Sequence, residues 1–135
     1  MTSRDNIACH WFERVWNGND ASAIAELAAP DMKAHGADGV TRTPETFPEF
    51  QRAILAALPD MHIEIPHCVQ GRDMVAVHWV AKGTHTGAAP GIPAGKGAPV
   101  TISGLTLVRI AEGKIAEGWD DYDFVGLMRQ LGAEV

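Results

Sequence analysis

Near the end of the chain, three aspartates lie within four positions, Asp120, Asp121 and Asp123, directly after a tryptophan. In a β-strand alternate residues face the same way, so Trp119, Asp121 and Asp123 are predicted to share one face. Because that face also carries Ile115, we expect it to be the inner one. Burial in an apolar space and a second carboxylate nearby both raise a carboxyl pKa. Such a carboxyl suits a general acid or base near neutral pH.

The same acids also suit a structural role. Asp121 and Asp123 come just before the apolar run from Phe124 to Leu131, which is predicted to be a helix. Aspartate is a preferred N-cap residue, and negative charge is favourable at a helix N-terminus. A bulge in the last strand would also exchange its two faces. The sequence therefore leaves open which of Asp121 and Asp123 faces a pocket and whether either only caps the helix.

The elements that must position these acids begin with helices. Apolar residues at three- and four-residue spacing predict amphipathic helices in the first part of the chain. The first is predicted to end at Asn17, the second to run from Asp20 to Ala29, and the third to start at Thr43 with Pro44 in its first position and to end at Leu58. A short strand is predicted between the second and third helices, in the segment Met32–Gly36.

From Met61 onward the apolar period changes to two, which is typical of strands. Strands are predicted over residues 61–65, 73–85, 100–110 and 114–122, with a hairpin turn at Glu112-Gly113. A closing helix follows, with Gly132 as its C-cap. The glycine- and proline-rich stretch Gly87–Pro99 is predicted to be a long loop inside one domain, residues 1–135. Helices followed by antiparallel strands predict an α+β fold whose curved sheet can enclose a cavity.

Composition limits the classes of function. The formal net charge is -6 and no run of Lys or Arg occurs, which argues against nucleic acid or an anionic membrane as a partner. No apolar stretch approaches the ~20 residues that span a bilayer, and the N-terminus lacks a signal-peptide pattern. Cys9 and Cys68 are interpreted as reduced thiols, so a cytoplasmic location is expected.

Histidines and aromatic residues supply further candidates. His85 ends the long second strand, where it either faces a pocket or holds the following loop in place. The six histidines have no metal-ligand spacing, so no metal is predicted. Four aromatic residues are candidate substrate-binding residues, and those that line a pocket would favour planar, aromatic or polycyclic ligands: Trp11, Phe50, Trp79 and Trp119.

Several of these segments resemble one known family. The stretches "GKIAEGWDDYDFVGLMRQLG", "GTHTG" followed by "GIPAGK", "LVRIAEGKI" and "APDMKAHG" occur in an order and at a spacing similar to those of the SnoaL-like polyketide cyclases. The resemblance covers nearly the whole chain. It implies a cone-shaped α+β barrel of the nuclear transport factor 2-like type, with a mixed sheet wrapped around N-terminal helices, a deep hydrophobic pocket and a homodimer formed across the sheet.

The resemblance also implies roles for individual residues. Asp123 corresponds to the aspartate that acts as acid and base in the intramolecular aldol closure catalysed by family members. Arg109 stands fourteen positions earlier, where a cyclase has histidine, and a cation there would lower the pKa of a neighbouring carboxyl. The Arg109 side chain would equally suit binding of an enolate or a carboxylate of the substrate. His35 lies where family members often carry a histidine at the pocket mouth.

Three hypotheses of function follow. The leading one is cofactor-independent acid–base chemistry on a hydrophobic, carbonyl-rich substrate, with Asp123 as the base and His35, His85 or Arg109 stabilising the oxyanion. The second is an epoxide hydrolase, isomerase or hydroxylase using the same pocket. In the epoxide-opening reaction, Arg109 with Asp121 and Asp123 would activate water. The third is a ligand-binding or dimerisation module without catalysis, whose acids only cap a helix.

Overall fold

The protein is described from a computed structural model that covers residues 6–87 and 97–132. Most of the predicted loop Gly87–Pro99, including its "GIPAGK" motif, lies outside these residues. The helices are α1 (Ile7–Trp11), continued by a π-helical segment (Phe12–Asn17), then α2 (Ser22–Leu27), α3 (Phe47–Ala57) and α4 (Phe124–Gln130). The strands are β1 (Ala28–His35), β2 (Thr41–Arg42), β3 (His62–Gln70), β4 (Met74–His85), β5 (Ala98–Ala111) and β6 (Lys114–Tyr122).

The strands form one mixed sheet in the order β2-β1-β6-β5-β4-β3. All neighbours are antiparallel except β1 and β6, which are parallel. The predicted α+β fold is confirmed. Within the described residues the sheet is open rather than a closed barrel, because β2 and β3 form its two edges. No helix in the described ranges is long and apolar enough to cross a membrane.

The N-terminal helices pack against the inner, concave face of the sheet. Asn6 caps α1 by accepting a hydrogen bond from the Cys9 amide (3.0 Å), as expected of an asparagine at this position. Cys9 and Val15 on this helical segment, and Val77 on β4, are fully buried. The core between helices and sheet is therefore continuous, and it extends around a cavity described below.

Two predicted boundaries are wrong. The second helix ends at Leu27 rather than Ala29, and β1 already begins at Ala28. Pro30 is accommodated in that strand because the pairing of β1 with β6 is irregular between Ala28 and Lys33, and a bulge tolerates a residue without an amide donor. The third helix begins at Phe47, after a turn that contains Pro44.

The last strand contains a bulge that decides which of its residues face inward. Arg109 of β5 pairs with Glu117, whereas Ile110 pairs with Ile115, so Ala116 is an extra residue in β6. Ile115 is buried on the inner face, and after the bulge the inward positions are even-numbered. The prediction that Trp119, Asp121 and Asp123 share the inner face with Ile115 is therefore wrong.

Candidate active site

A cavity of about 160 Å³ lies between the helices and the inner face of the sheet. Most of its wall is apolar and aromatic. The aromatic side chains in the wall are Trp11, Phe12, Trp16, Phe47, Phe50 and Trp79, several of them in edge-to-face contact. The predicted ligand-contacting residues Trp11, Phe50 and Trp79 line this cavity, and Trp119 does not.

Asp120, on β6 after the bulge, places a carboxyl group in this wall. Thr106 is its direct partner on β5, and the Thr106 hydroxyl donates a hydrogen bond of 2.6 Å to Asp120 Oδ1. The same hydroxyl accepts a hydrogen bond of 2.9 Å from Trp79 Nε1. The indole N–H can only donate, so it fixes the donor-to-acceptor direction of this series of hydrogen bonds. Residues on β4 and β5 therefore set the orientation of the Asp120 carboxyl group.

Burial raises the pKa of the Asp120 carboxyl, and the charges of Asp121 and Asp38 act in the same direction. The hydrogen bonds from Thr106 and Trp79 favour the carboxylate and oppose this shift. Desolvation is the larger effect, so Asp120 holds its proton to a higher pH than an exposed aspartate does. A carboxyl whose pKa moves toward neutrality is a better general acid or base at cellular pH.

A second polar group lies in the same wall. Arg42 is 8% exposed, and its guanidinium stacks on the Phe50 ring at 3.7 Å from the centroid. It binds both carboxylate oxygens of Asp38, with Nη2–Oδ2 2.7 Å and Nη1–Oδ1 3.3 Å, and this lowers the pKa of Asp38. Tyr122 also lines the cavity, and burial, Asp120 and Asp38 raise the pKa of its hydroxyl. Tyr122 therefore remains a neutral hydrogen-bond donor.

His35 and Arg109 belong to a different cluster. His35 reaches the cavity rim, but its ring stacks on Trp119 and its Nε2 lies 2.7 Å from Glu117 Oε2. Arg109 Nη2 donates to the other oxygen of the same carboxylate at 3.4 Å. Glu117 and Trp119 are outside the cavity wall. The structure thus brings His35 and Arg109 together with each other and not with Asp120.

The remaining predicted catalytic residues also lie outside the cavity wall. Asp123 is exposed and caps α4, its Oδ1 accepting a hydrogen bond of 2.9 Å from the Gly126 amide. Asp121 is exposed on the outer face, in a shallow groove with His67 and His78. The capping interpretation therefore describes Asp123, and the predicted inward orientation of both acids is corrected.

His85 is buried at the end of β4 and is 2% exposed. Its Nε2 has no hydrogen-bond partner among the described residues, and its ring does not line the cavity. Its backbone carbonyl accepts a hydrogen bond of 2.9 Å from the Gly97 amide, across the base of the long loop. This contact involves the backbone of His85, so a loop-holding role of its ring nitrogens stays a prediction.

Sequence reasoning missed Asp120, Thr106, Tyr122 and the Asp38–Arg42 pair. One signal could have found the first two. The spacing of fourteen residues that relates Arg109 to Asp123 also relates Thr106 to Asp120, which are true cross-strand neighbours. The described residues contain no group of three or more His, Cys, Asp or Glu side chains placed to hold a metal ion.

Comparison with known proteins shows the family and agrees with the fold. The family model for the SnoaL-like polyketide cyclases matches residues 6–131. The fold is similar to that of IdmH from Streptomyces antibioticus, a proposed polyketide cyclase, with 31% identity and a TM-score of 0.80 over 94% of this chain and 96% of IdmH. No curated protein matches the sequence significantly.

Two further solved structures show the fold alone, since their identities are below 25%. AclR from Streptomyces galilaeus, a proposed hydroxylase, is 24% identical with a TM-score of 0.79, covering 94% of this chain and 83% of AclR. A proposed SnoaL-like polyketide cyclase from Jannaschia sp. CCS1 is 19% identical with a TM-score of 0.83, covering 96% of this chain and 91% of that protein.

Proposed function

Since the chain belongs to the SnoaL-like polyketide cyclase family, we propose that it catalyses acid–base chemistry, without a cofactor, on a hydrophobic carbonyl substrate, with Asp120 as the proton-transferring residue. The observation that carries the proposal is the Asp120 carboxyl, oriented by Thr106 in the wall of an apolar cavity. This site replaces the one expected around Asp123, whose carboxylate is occupied by the α4 cap.

The proposed reaction is an aldol-type ring closure. Asp120 Oδ2, which is free of the Thr106 hydrogen bond to Oδ1, takes a proton from the carbon next to a substrate carbonyl. The electrons of that C–H bond form an enolate, whose oxygen accepts a hydrogen bond from the Tyr122 hydroxyl. The enolate carbon attacks a second carbonyl of the same substrate, and the new alkoxide takes the proton back from Asp120. Atoms and charge balance without an added reactant.

The apolar wall contributes by excluding water. In such a space hydrogen bonds to a developing oxyanion are stronger than in water, because the local dielectric constant is lower. A general base contributes roughly 10²–10⁴-fold to the rate of a reaction of this kind. An isomerase in the same cavity would begin with the same proton abstraction.

The first step can be tested without the natural substrate. Wild-type protein is incubated in D₂O with aromatic ketones of one to three rings, and exchange of the hydrogens next to the carbonyl is followed by NMR. Asp120→Asn keeps the shape of the side chain and removes the base, so we expect the catalysed exchange rate to fall by roughly 10²–10⁴-fold. A rate unchanged by this substitution would refute the proposed role of Asp120.

Asp121→Asn is the matched control, because it removes a carboxylate from the adjacent position on the opposite face of β6. We expect its exchange rate to stay within a few-fold of wild type, because the charge of Asp121 contributes less to the pKa shift of Asp120 than burial does. Exchange without a ring-closed product from a diketone would indicate an isomerase rather than a cyclase.

We also propose that two copies associate through the outer face of the sheet. Leu105, Leu107 and Trp119 are exposed by 59%, 40% and 38%, and they lie next to one another on β5 and β6. A second copy is the occupant that we propose for this apolar surface, because apolar side chains grouped on one surface commonly mark a protein interface. Leu105→Asp should shift the molar mass measured by light scattering from dimer to monomer. Val40→Asp, an equally apolar but separate exposed site, should leave it unchanged.

A further inference from the structure

The size of the cavity limits what can bind in it. Its volume is about 160 Å³. A protein cavity of roughly 150 Å³ accepts benzene, whereas drug-sized ligands occupy pockets of about 300–1,000 Å³. The cavity therefore has room for one ring with small substituents. A fused polycyclic ketone, which is one of the ligand types that the aromatic residues in the sequence favour, exceeds this volume.

The wall of the cavity resists widening. Trp79 is held on one side by its hydrogen bond to Thr106 and on the other by Gly104, where even a Cβ would overlap the indole. Across the cavity, Phe47 and Phe50 pack edge-to-face at 5.5 Å between ring centroids. Closely packed aromatic rings do not shift independently, so a larger ligand would have to displace several of them together.

The charges in the wall also select the ligand. Among the described lining residues, Arg42 is the one with a permanent positive charge, and Asp38 binds it through both oxygens. Asp120 adds a second acidic group, and His35 at the rim is hydrogen-bonded to Glu117. The described lining residues therefore leave no unpaired positive charge for a carboxylate ligand, and an unpaired buried anion is strongly unfavourable.

From the size and charge of this cavity we infer that the substrate is a neutral ketone or diketone with the bulk of a single ring. This inference rests on the proposed function and names its substrate class. For the ring-closing reaction, this substrate class implies a flexible neutral diketone as the substrate. The product then contains one ring, or one small ring carried by a short chain. The carbonyl that becomes the enolate lies at the end of the cavity lined by Asp120 and Tyr122.

Binding of three probe molecules tests the inference directly. Acetophenone is a neutral one-ring ketone, phenylglyoxylate is its anionic counterpart, and anthrone is a neutral three-ring ketone. Quenching of the intrinsic tryptophan fluorescence reports binding, because Trp11, Trp16 and Trp79 line the cavity. We expect saturable binding of acetophenone, and dissociation constants at least roughly tenfold higher for phenylglyoxylate and anthrone.

A pair of isoleucine variants separates cavity size from general destabilisation. Ile54 on α3 lines the cavity, whereas Ile110 on β5 is similarly half-buried but lies outside the lining. Ile54→Ala enlarges the cavity, so we expect it to tighten anthrone binding by at least roughly tenfold. Ile110→Ala should leave the order of the three affinities unchanged.

The outcomes distinguish this inference from the proposed function. Wild-type binding of anthrone as tight as that of acetophenone, equal or tighter binding of phenylglyoxylate, or no binding of acetophenone would each overturn the inferred substrate class. If acetophenone binds as expected but its methyl hydrogens exchange equally fast with wild type and Asp120→Asn, the proposed function fails and the inferred ligand class stands. Asp120-dependent exchange of a three-ring ketone that carries hydrogens next to its carbonyl, such as 2-acetylanthracene, would support the proposed function and overturn the inferred ligand class.

Discussion

The two faces of β6 carry carboxylates three residues apart whose pKa values move in opposite directions. Asp120 faces inward, and burial raises its pKa. Glu117 faces outward, and its hydrogen bonds with His35 and then Arg109 lower its pKa. The residue types are nearly the same, so the difference comes from the surroundings. A carboxylate held by hydrogen-bond donors stays ionised and structural, whereas one among apolar side chains becomes able to exchange protons near neutral pH.

The faces also differ in how their side chains are held. On the inner face, one chain of hydrogen bonds runs from Trp79 through Thr106 to Asp120, within a buried wall. On the outer face, His35 and Glu117 interact with side chains that remain about a quarter to a third exposed. Packing therefore orders the side chains more strongly on the inner face than on the outer face. A catalytic site requires such order, because its base must stay within hydrogen-bond reach of the substrate.

A shift in the register of β6 is expected to have the largest effect. Inserting one alanine between Gly118 and Trp119 would reverse the residues that follow it, so that Trp119 and Asp121 face the helices while Asp120 faces outward. Burial of an unpaired carboxylate should lower the unfolding free energy by about 3–5 kcal/mol. We expect thermal denaturation followed by circular dichroism to show a strongly lowered transition temperature or loss of a cooperative transition.

Deletion of Ala116 is the control for that insertion, because it removes the bulge and keeps the pairs Arg109–Glu117 and Ile110–Ile115, so that Asp120 still faces inward. It should unfold cooperatively near the wild-type temperature. A stable insertion variant that still shows Asp120-dependent exchange would contradict the importance of the β6 register.

Removal of the α4 cap is expected to have a smaller effect. Asp123→Ala deletes the acceptor for the Gly126 amide and should lower the unfolding free energy by roughly 0.5–2 kcal/mol, measured by urea denaturation. Asp123→Asn should be close to neutral, since asparagine caps helices about as well. Both variants should keep the wild-type exchange rate when folded. A loss of exchange in Asp123→Asn as large as in Asp120→Asn would return the base to Asp123.

The pH dependence of the unfolding free energy is expected to show the smallest effect. The contributions of Asp120 on the inner face and Glu117 on the outer face should change with pH in opposite directions. Because the pKa of Asp120 is higher in the folded state, the folded protein binds more protons between the unfolded and folded pKa values. The contribution of Asp120 to the unfolding free energy therefore falls as pH rises above its pKa in the unfolded state. The Asp120→Asn variant should lack this decline. Glu117 behaves oppositely: its contribution to the unfolding free energy is present above its unfolded-state pKa and is lost as pH falls.

Urea denaturation of Asp120→Asn and Glu117→Gln across acidic and neutral pH measures both contributions. If the two substitutions changed the pH dependence of the unfolding free energy in the same direction, the assignment of a raised pKa to Asp120 and a lowered pKa to Glu117 would be contradicted.

Much of the fold could be predicted from local patterns. The change of apolar period from helical to alternating at Met61 marked the boundary between helices and the main strands, and Glu112-Gly113 has the positive φ angles of the predicted hairpin turn. The positive φ of Gly132 agrees with its predicted place after the last helix. Each of these features depends on residues close together in the chain.

The site could be predicted only in part. Three of the four aromatic candidates, Trp11, Phe50 and Trp79, line the cavity, because large apolar residues are buried wherever the elements meet. The acid was misassigned because strict alternation was applied across Ala116, which has no partner on β5. Asp38 and Arg42 were missed because they come from a short irregular segment with no periodic signal.

By itself the sequence determined the family, the order of elements and the presence of carboxylates at the end of the last long strand. Those properties depend on residue type and near-neighbour spacing. Only the tertiary structure decided that Asp120 faces the cavity and that Asp121 and Asp123 do not. The register of β6 against β5 and β1 sets this orientation, and register is a property of the paired strands rather than of one strand. A single extra residue in one partner reverses every side chain that follows it.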